Sequence, residues 1–215
     1  MNVTNKLHRV MSIIIGVVMI FVLISGITSM ITSIAVLLRS GNPTSLLTAL
    51  PSHLLGNGST VVFIIVLFRG KKDLTAGILM LLTALYPLFS LFTQTISLFG
   101  GFLPDYFRIY SLVNMLANIT MLAFRILLGV ECLACGCLSG GFGKILLVVP
   151  PLAVGLFQAL ASMVITLYNY QGSDLSTLLV PLITAFLPPL LGTIPTLLMG
   201  VTFAIPVRET ISSAP

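Results

Sequence analysis

Tryptophan is absent from these 215 residues, charge is confined to 7% of them, and only five carry a carboxylate side chain. A soluble domain keeps roughly a quarter of its residues charged. The shortage of charge therefore excludes a water-exposed globular fold, and 57% hydrophobic residues require a bilayer instead. Also missing are an HExxH zinc motif, a GxSxG nucleophile elbow, a paired-acid arrangement and a phosphate-binding glycine loop. Gly140-Gly141-Phe142-Gly143-Lys144 lacks the spacing and the following Ser or Thr of such a loop and reads as a hairpin turn. The sequence offers no catalytic residue and no cofactor-binding signature, and a membrane enzyme or redox reading rests on the cysteine cluster alone. The ten Lys and Arg residues would suggest nucleic acid in a soluble protein. Here they sit at the ends of apolar runs, as topogenic signals do, and no basic face exists for nucleic acid to bind.

Long uncharged runs fill the rest of the chain. They extend over 10–38, 46–68, 74–99, 109–130, 145–168 and 175–207, each long enough to cross about 30 Å of hydrocarbon as a helix. Residues 1–215 thus read as one polytopic domain, an all-α membrane bundle of six transmembrane helices. The first run is too long for a cleaved signal, whose apolar core is about 7–15 residues. Placing the N-terminus inside puts Lys6, Arg9, Arg69, Lys71, Lys72, Lys144 and Arg208 on the cytoplasmic side, with Arg125 near it. Only Arg39 and Arg108 then remain outside, so the positive-inside rule predicts N-in, C-in threading, with external loops near 39–44, 100–108 and 169–174. Asn2, Asn57 and Asn118 match the glycosylation acceptor pattern, but this threading puts them in the cytoplasm or in or near the bilayer. No usable glycosylation site, no tryptophan and no long loop together point to a bacterial cell membrane as the location.

Two spans depart from an ordinary helix. Pro181, Pro188, Pro189, Pro195 and Pro206 should kink or interrupt the sixth, most sharply near Pro188-Pro189, because each removes a backbone hydrogen bond. In the second, Gly56-Asn57-Gly58-Ser59 falls near mid-membrane, and two readings stay open. Either the helix breaks there, or a short interfacial helix starting at Pro43 precedes a thin span from Leu54.

Polar residues lie in stripes. On an ideal helix Thr83, Pro87, Ser90, Gln94 and Ser97 share one face of the third span, with Tyr86 at its edge. Ser111, Asn114, Asn118 and Arg125 share a face of the fourth, and Gly155, Gln158, Ser162 and Thr166 one of the fifth. An amide in lipid is costly, so these faces should turn toward one another around a shared interior, dry or solvated. Small residues are also what helix contacts use, and Ser25, Ser29 and Ser33 of the first span have that spacing. Gln94, Asn114, Asn118, Arg125 and Gln158 are the candidate polar cavity. Arg125 can serve as an anion-facing residue there or snorkel to the interface. No carboxylate falls inside a drawn span, which argues against proton coupling through an intramembrane acid.

Cys132, Cys135 and Cys137 lie at the end of the fourth span and are the only cysteines. With His8 or Glu131 they could approach a metal site, but no second cysteine pair exists, and no metal ligand set is nominated. Small apolar residues at a helix end is the simpler account. The expected function is a substrate-binding or permease subunit for a small uncharged or anionic solute. The alternative is a non-catalytic scaffold or accessory subunit joined by helix contacts to a partner membrane protein. In size and span count the chain resembles the membrane-embedded substrate-binding subunits of energy-coupling-factor vitamin transporters. The alanine-spaced docking motif of that group is not evident in the first span. That resemblance implies an ATPase partner at the cytoplasmic hairpins; membrane lipids are partners in any reading.

Overall fold

A computed structural model describes residues 3–40, 43–70, 72–99, 105–134, 138, 140–170 and 175–205. Among these residues eight helices make up six spans: α1 (Val3–Ser40), α2 (Pro43–Arg69), α3 (Leu74–Leu82), α4 (Leu85–Phe99), α5 (Asp105–Leu133), α6 (Gly141–Asn169), α7 (Leu175–Gly192) and α8 (Ile194–Ala204). Six segments of 21 to 34 residues are long and apolar enough to cross a membrane. The protein is a multi-pass membrane protein built as an all-α six-helix bundle. Gly140-Gly141-Phe142-Gly143 is the N-terminal edge of α6 rather than a free hairpin turn, with Lys144 N bonded to Gly140 O at 3.0 Å.

The second span is one unbroken helix from Pro43 to Arg69, so neither sequence reading of it holds. Its glycines are places of close approach instead of turns. A Cβ on Gly56 would lie 3.3 Å from the Tyr86 ring, and one on Gly26 of α1 would collide with Asn57. The Gly56 carbonyl is held by the hydroxyls of Ser59 at 2.8 Å and Thr60 at 3.1 Å. The contact of α1 with α2 therefore runs through Gly26, Met30 and Asn57, while Ser25 and Ser29 are exposed.

Where the backbone does break, a proline stands just beyond. The third span is interrupted at Thr83-Ala84, which the sequence reading drew as continuous. Pro87 lacks the N–H that would reach the Thr83 carbonyl, and the N–H groups of Thr83 and Ala84 tighten onto Met80 O and Leu81 O at 3.1 and 3.0 Å. The sixth span is interrupted as expected, but at Thr193, between Gly192 and Pro195; the helix passes through Pro188-Pro189 intact. Thr193 repeats the Thr83 geometry, its hydroxyl bonding Leu190 O at 2.7 Å as that of Thr83 bonds Met80 O at 2.6 Å. Gly155 of α6 admits this break, for a Cβ there would lie 2.7 Å from Thr193 Oγ1.

Packing differs between the two ends. The helices alternate in direction, so Lys6, Arg9, Arg69, Lys72 and Lys144 share one end, hereafter the basic end. Toward it α1, α2, α3, α5, α6 and α8 close a ring, α8 returning onto α1. Ile15, Phe63, Leu67, Met80, Phe124, Leu128, Leu147, Met199 and Phe203 fill its core. Toward the opposite end the ring opens: no residue of α1 from Ile20 to Arg39, and none of positions 178–192 in α7, is buried. Stacked Tyr106 and Tyr168, with Phe107 and Tyr110 beside them, mark that end, where interfacial aromatics belong.

Close crossings hold the ring. Gly200 of α8 sits against the Leu147 backbone carbonyl of α6, where an added Cβ would collide with main chain that cannot swing away. Gly200→Val should therefore fall at the upper end of the ~1–3 kcal/mol expected for overpacking, lowering thermal stability in detergent. Gly192→Val, where an added Cβ meets nothing, should cost less in the same assay.

Candidate functional site

The Arg125 guanidinium lies inside the bundle, about two helical turns before the end of α5. The residue is 6% exposed, so it does not snorkel to the interface. Its Nη1 donates to the Thr83 carbonyl at 2.7 Å, the group that Pro87 leaves without its helical partner. Its Cζ stands 5.0 Å from the Phe63 ring centroid and 5.3 Å from that of Tyr86. Three spans thus meet at one cation: α5 supplies the charge, the α3–α4 break an acceptor, and α2 and α4 one π face each.

All of these partners are neutral. A hydrogen bond to a charged group contributes about 1.5–3 kcal/mol and a desolvated cation–π contact about 2. Removing an ion from water costs several kcal/mol even after relaxation. Arg125 has no ion pair among the described residues, and its Nε is buried without a hydrogen-bond partner. The site is therefore a buried cation whose described partners are all neutral.

Helix register shows how the other polar residues stand relative to Arg125. Thr83 meets Arg125 and Gly77 meets Gly129, which sets α3 and the second half of α5 antiparallel in one register. Helices α4 and α5 pack on one another, so the polar stripes of the third and fourth spans, here termed the seam, lie on neighbouring helices and run from Arg125 away from the basic end. Gln94, Asn114 and Asn118 are half-buried in it; Gln94 Oε1 is buried without a partner, and Asn118 Nδ2 turns back to Asn114 O at 3.1 Å. Beside the seam an open groove of about 350 Å³ is lined by Ala49, Ser52, Thr93, Ile96 and Ser97.

Gln158 stands apart. It is exposed on α6, and the stripe it belongs to turns toward the break at Thr193 through Gly155, not toward the third span. Ser162 and Thr166 use their hydroxyls on carbonyls of their own helix. The fifth span is thus not part of the seam. Cys132 is buried in the core, while Cys135 and Cys137 lie outside the described residues.

Sequence reasoning missed a second charged cluster at the basic end. Helix α5 runs on past residue 130 and buries Glu131 completely. Glu131 Oε1 accepts from Lys72 Nζ at 2.5 Å and Oε2 from the Leu138 N–H at 2.7 Å; Lys72 also donates to Phe203 O at 2.9 Å. A carboxylate so close to a drawn span end, with lysines in the facing hairpin, was the available signal. Comparison with known protein families, curated proteins and solved structures finds no match for this chain.

The π contact can be tested without any ligand. In a double-mutant cycle read as unfolding free energy in detergent, Tyr86→Leu and Arg125→Met should couple by about 1 kcal/mol. Strictly additive losses would show that the ring and the guanidinium do not interact.

Proposed function

We propose that this membrane protein is a permease or substrate-binding subunit for a small anionic solute, with Arg125 as the residue that faces the anion. The observation that carries this reading is a buried guanidinium whose described partners are all neutral, at the inner end of a polar seam. Ser90, Gln94, Asn114 and Asn118 supply hydroxyl and amide groups along the approach, and Phe63 and Tyr86 wall the cation. The half of the bundle that holds the seam is the more loosely packed one, and the basic half is closed, which suits a solute entering from the side opposite the basic end. By the charge pattern that entrance is external, and the protein resides in a bacterial cytoplasmic membrane. Any ATPase partner would dock on the basic hairpins.

A second reading, an accessory subunit assembled with another membrane protein, draws on the poorly covered outer halves of α1 and α7. The two readings separate in one assay. Thermal stability of the purified chain is measured against a panel of small carboxylates, phosphate, sulfate and halides. At 100 times its dissociation constant a ligand adds about 2.7 kcal/mol, so a specific anion should raise the unfolding temperature clearly. Arg125→Gln should abolish that rise. No shift with any anion, or an equal shift in Arg125→Gln, would remove the anion-site reading and favour the accessory one.

A further inference from the structure

Two spans break at a threonine, and only one of the breaks is clamped from another helix. At Thr83 the Arg125 guanidinium bonds the carbonyl at 2.7 Å and ties the interruption to α5. At Thr193 the hydrogen bonds among the described residues stay within the sixth span. Its N–H and hydroxyl both go to Leu190 O, at 3.2 and 2.7 Å, and its carbonyl accepts from Leu197 N at 2.9 Å. Pro188, Pro189 and Pro195 have no N–H for the carbonyls of Thr184, Ala185 and Leu191, so the backbone from 184 to 195 carries fewer helical bonds than the rest of the span. There is also room at the break. A Cβ on Gly192 would meet nothing, and Gly155 presents no side chain to Thr193. The two sides of the break are packed very differently. Helix α8 is anchored: Met199, Gly200, Thr202, Phe203 and Ala204 are buried, and Gly200 lies against the Leu147 carbonyl. No residue of α7 from 178 to 192 is buried, and its contact with α6 leaves an open groove of about 270 Å³ lined by Met163, Leu182, Ile183, Phe186 and Leu187. Helix α8 packs on α1, whereas α7, its continuation toward the opposite end, makes no comparable contact there.

We propose that α7 is a gate, a rigid helix that swings about Thr193 on the fixed α8 and so opens or closes the side of the bundle between α7 and α1. Swinging it sacrifices little core burial, because α7 supplies no residue of the buried core. It also breaks few hydrogen bonds, since those of a continuous helix are already replaced at Thr193 by the tighter bonds to Leu190 O. Hinges are a few element-terminal residues that absorb the change in φ and ψ, and Thr193 stands between the last residue of α7 and the first of α8. Movement toward α1 covers the stretch from Ile20 to Arg39, where no residue is buried, and extends to the opposite end the ring that α8 closes at the basic end. Movement toward α6 leaves that side open to the bilayer. Helix α4 starts from a break of the same geometry but is held, because Arg125 bonds Thr83 O and stands against the rings of Phe63 and Tyr86. The swing is independent of whether Arg125 binds an anion.

The test uses the full chain in lipid nanodiscs without added anion, with spin labels carried on genetically encoded residues so that the native cysteines stay. Pulsed electron resonance reads the distance distribution of two pairs at exposed positions: Val36 of α1 with Leu179 of α7, and Ile14 of α1 with Ile194 at the start of α8. The first pair should give a broad or two-peaked distribution and the second a single narrow one. Pro195→Ala returns an N–H to the Leu191 carbonyl, and should shrink the first distribution to the width of the second. A narrow first pair in the unsubstituted chain, equal breadth in both pairs, or a first pair that Pro195→Ala leaves as broad as before would overturn the proposal. Should that variant fail to fold, the two pairs in the unsubstituted chain decide by themselves. Failure here leaves the Arg125 reading intact, since no anion is present, and failure of the anion panel leaves the gate intact.

Discussion

Pro87 cannot give the Thr83 carbonyl its usual i+4 N–H; the carbonyl accepts instead from Tyr86 N–H at 3.3 Å and from the Arg125 guanidinium at 2.7 Å. In lipid a freed carbonyl has no water to turn to, and a buried cation has none either. Each defect answers the other across the α3–α5 contact. The ring faces of Phe63 and Tyr86 meet the same guanidinium, so α2, the α3–α4 break and α5 share one contact.

A second pairing governs the basic end. There Lys72 and Glu131 hold the hairpins and α8 together where the apolar core is best packed, while α1 and α7 lose their neighbours toward the opposite end. Between these two ends Arg125 is buried in the bundle against Phe63 and Tyr86. The proline-flanked breaks at Thr83 and Thr193 supply the irregular backbone that such folds tolerate only where it is covered by protein or lines a cavity.

Much of this architecture was legible in the sequence, because bilayer thickness converts uncharged run length directly into spans. Helical periodicity is rigid, so the polar faces of the third and fourth spans could be computed from the sequence, and Arg125, on one of them, is buried. What escaped depends on contacts between helices. Gly56-Asn57-Gly58 carries turn chemistry, yet its glycines serve the approach of Tyr86 and of α1, which no local pattern records. Gln158 shares a coherent stripe but lies on a helix whose neighbours are α5, α7 and α8, so the stripe faces elsewhere. Glu131 stood just beyond the drawn end of the fourth span, and only the tertiary structure carries it inside. The break at Thr83 could have been read from Pro87 alone, as the interruption of the sixth span was read from its prolines.

The central claim is that the Arg125 guanidinium is sequestered in the bundle and available to an anion entering along the seam. Nitrogen-15 spectroscopy of arginine-labelled protein in nanodiscs addresses it directly, with the Arg125 resonance assigned by its loss in Arg125→Lys. The account predicts one guanidinium that exchanges its protons with water far more slowly than Arg9 or Arg39, and that shifts when a stabilising anion is added. An Arg125 resonance exchanging as fast as those exposed arginines, and indifferent to every anion, would contradict it.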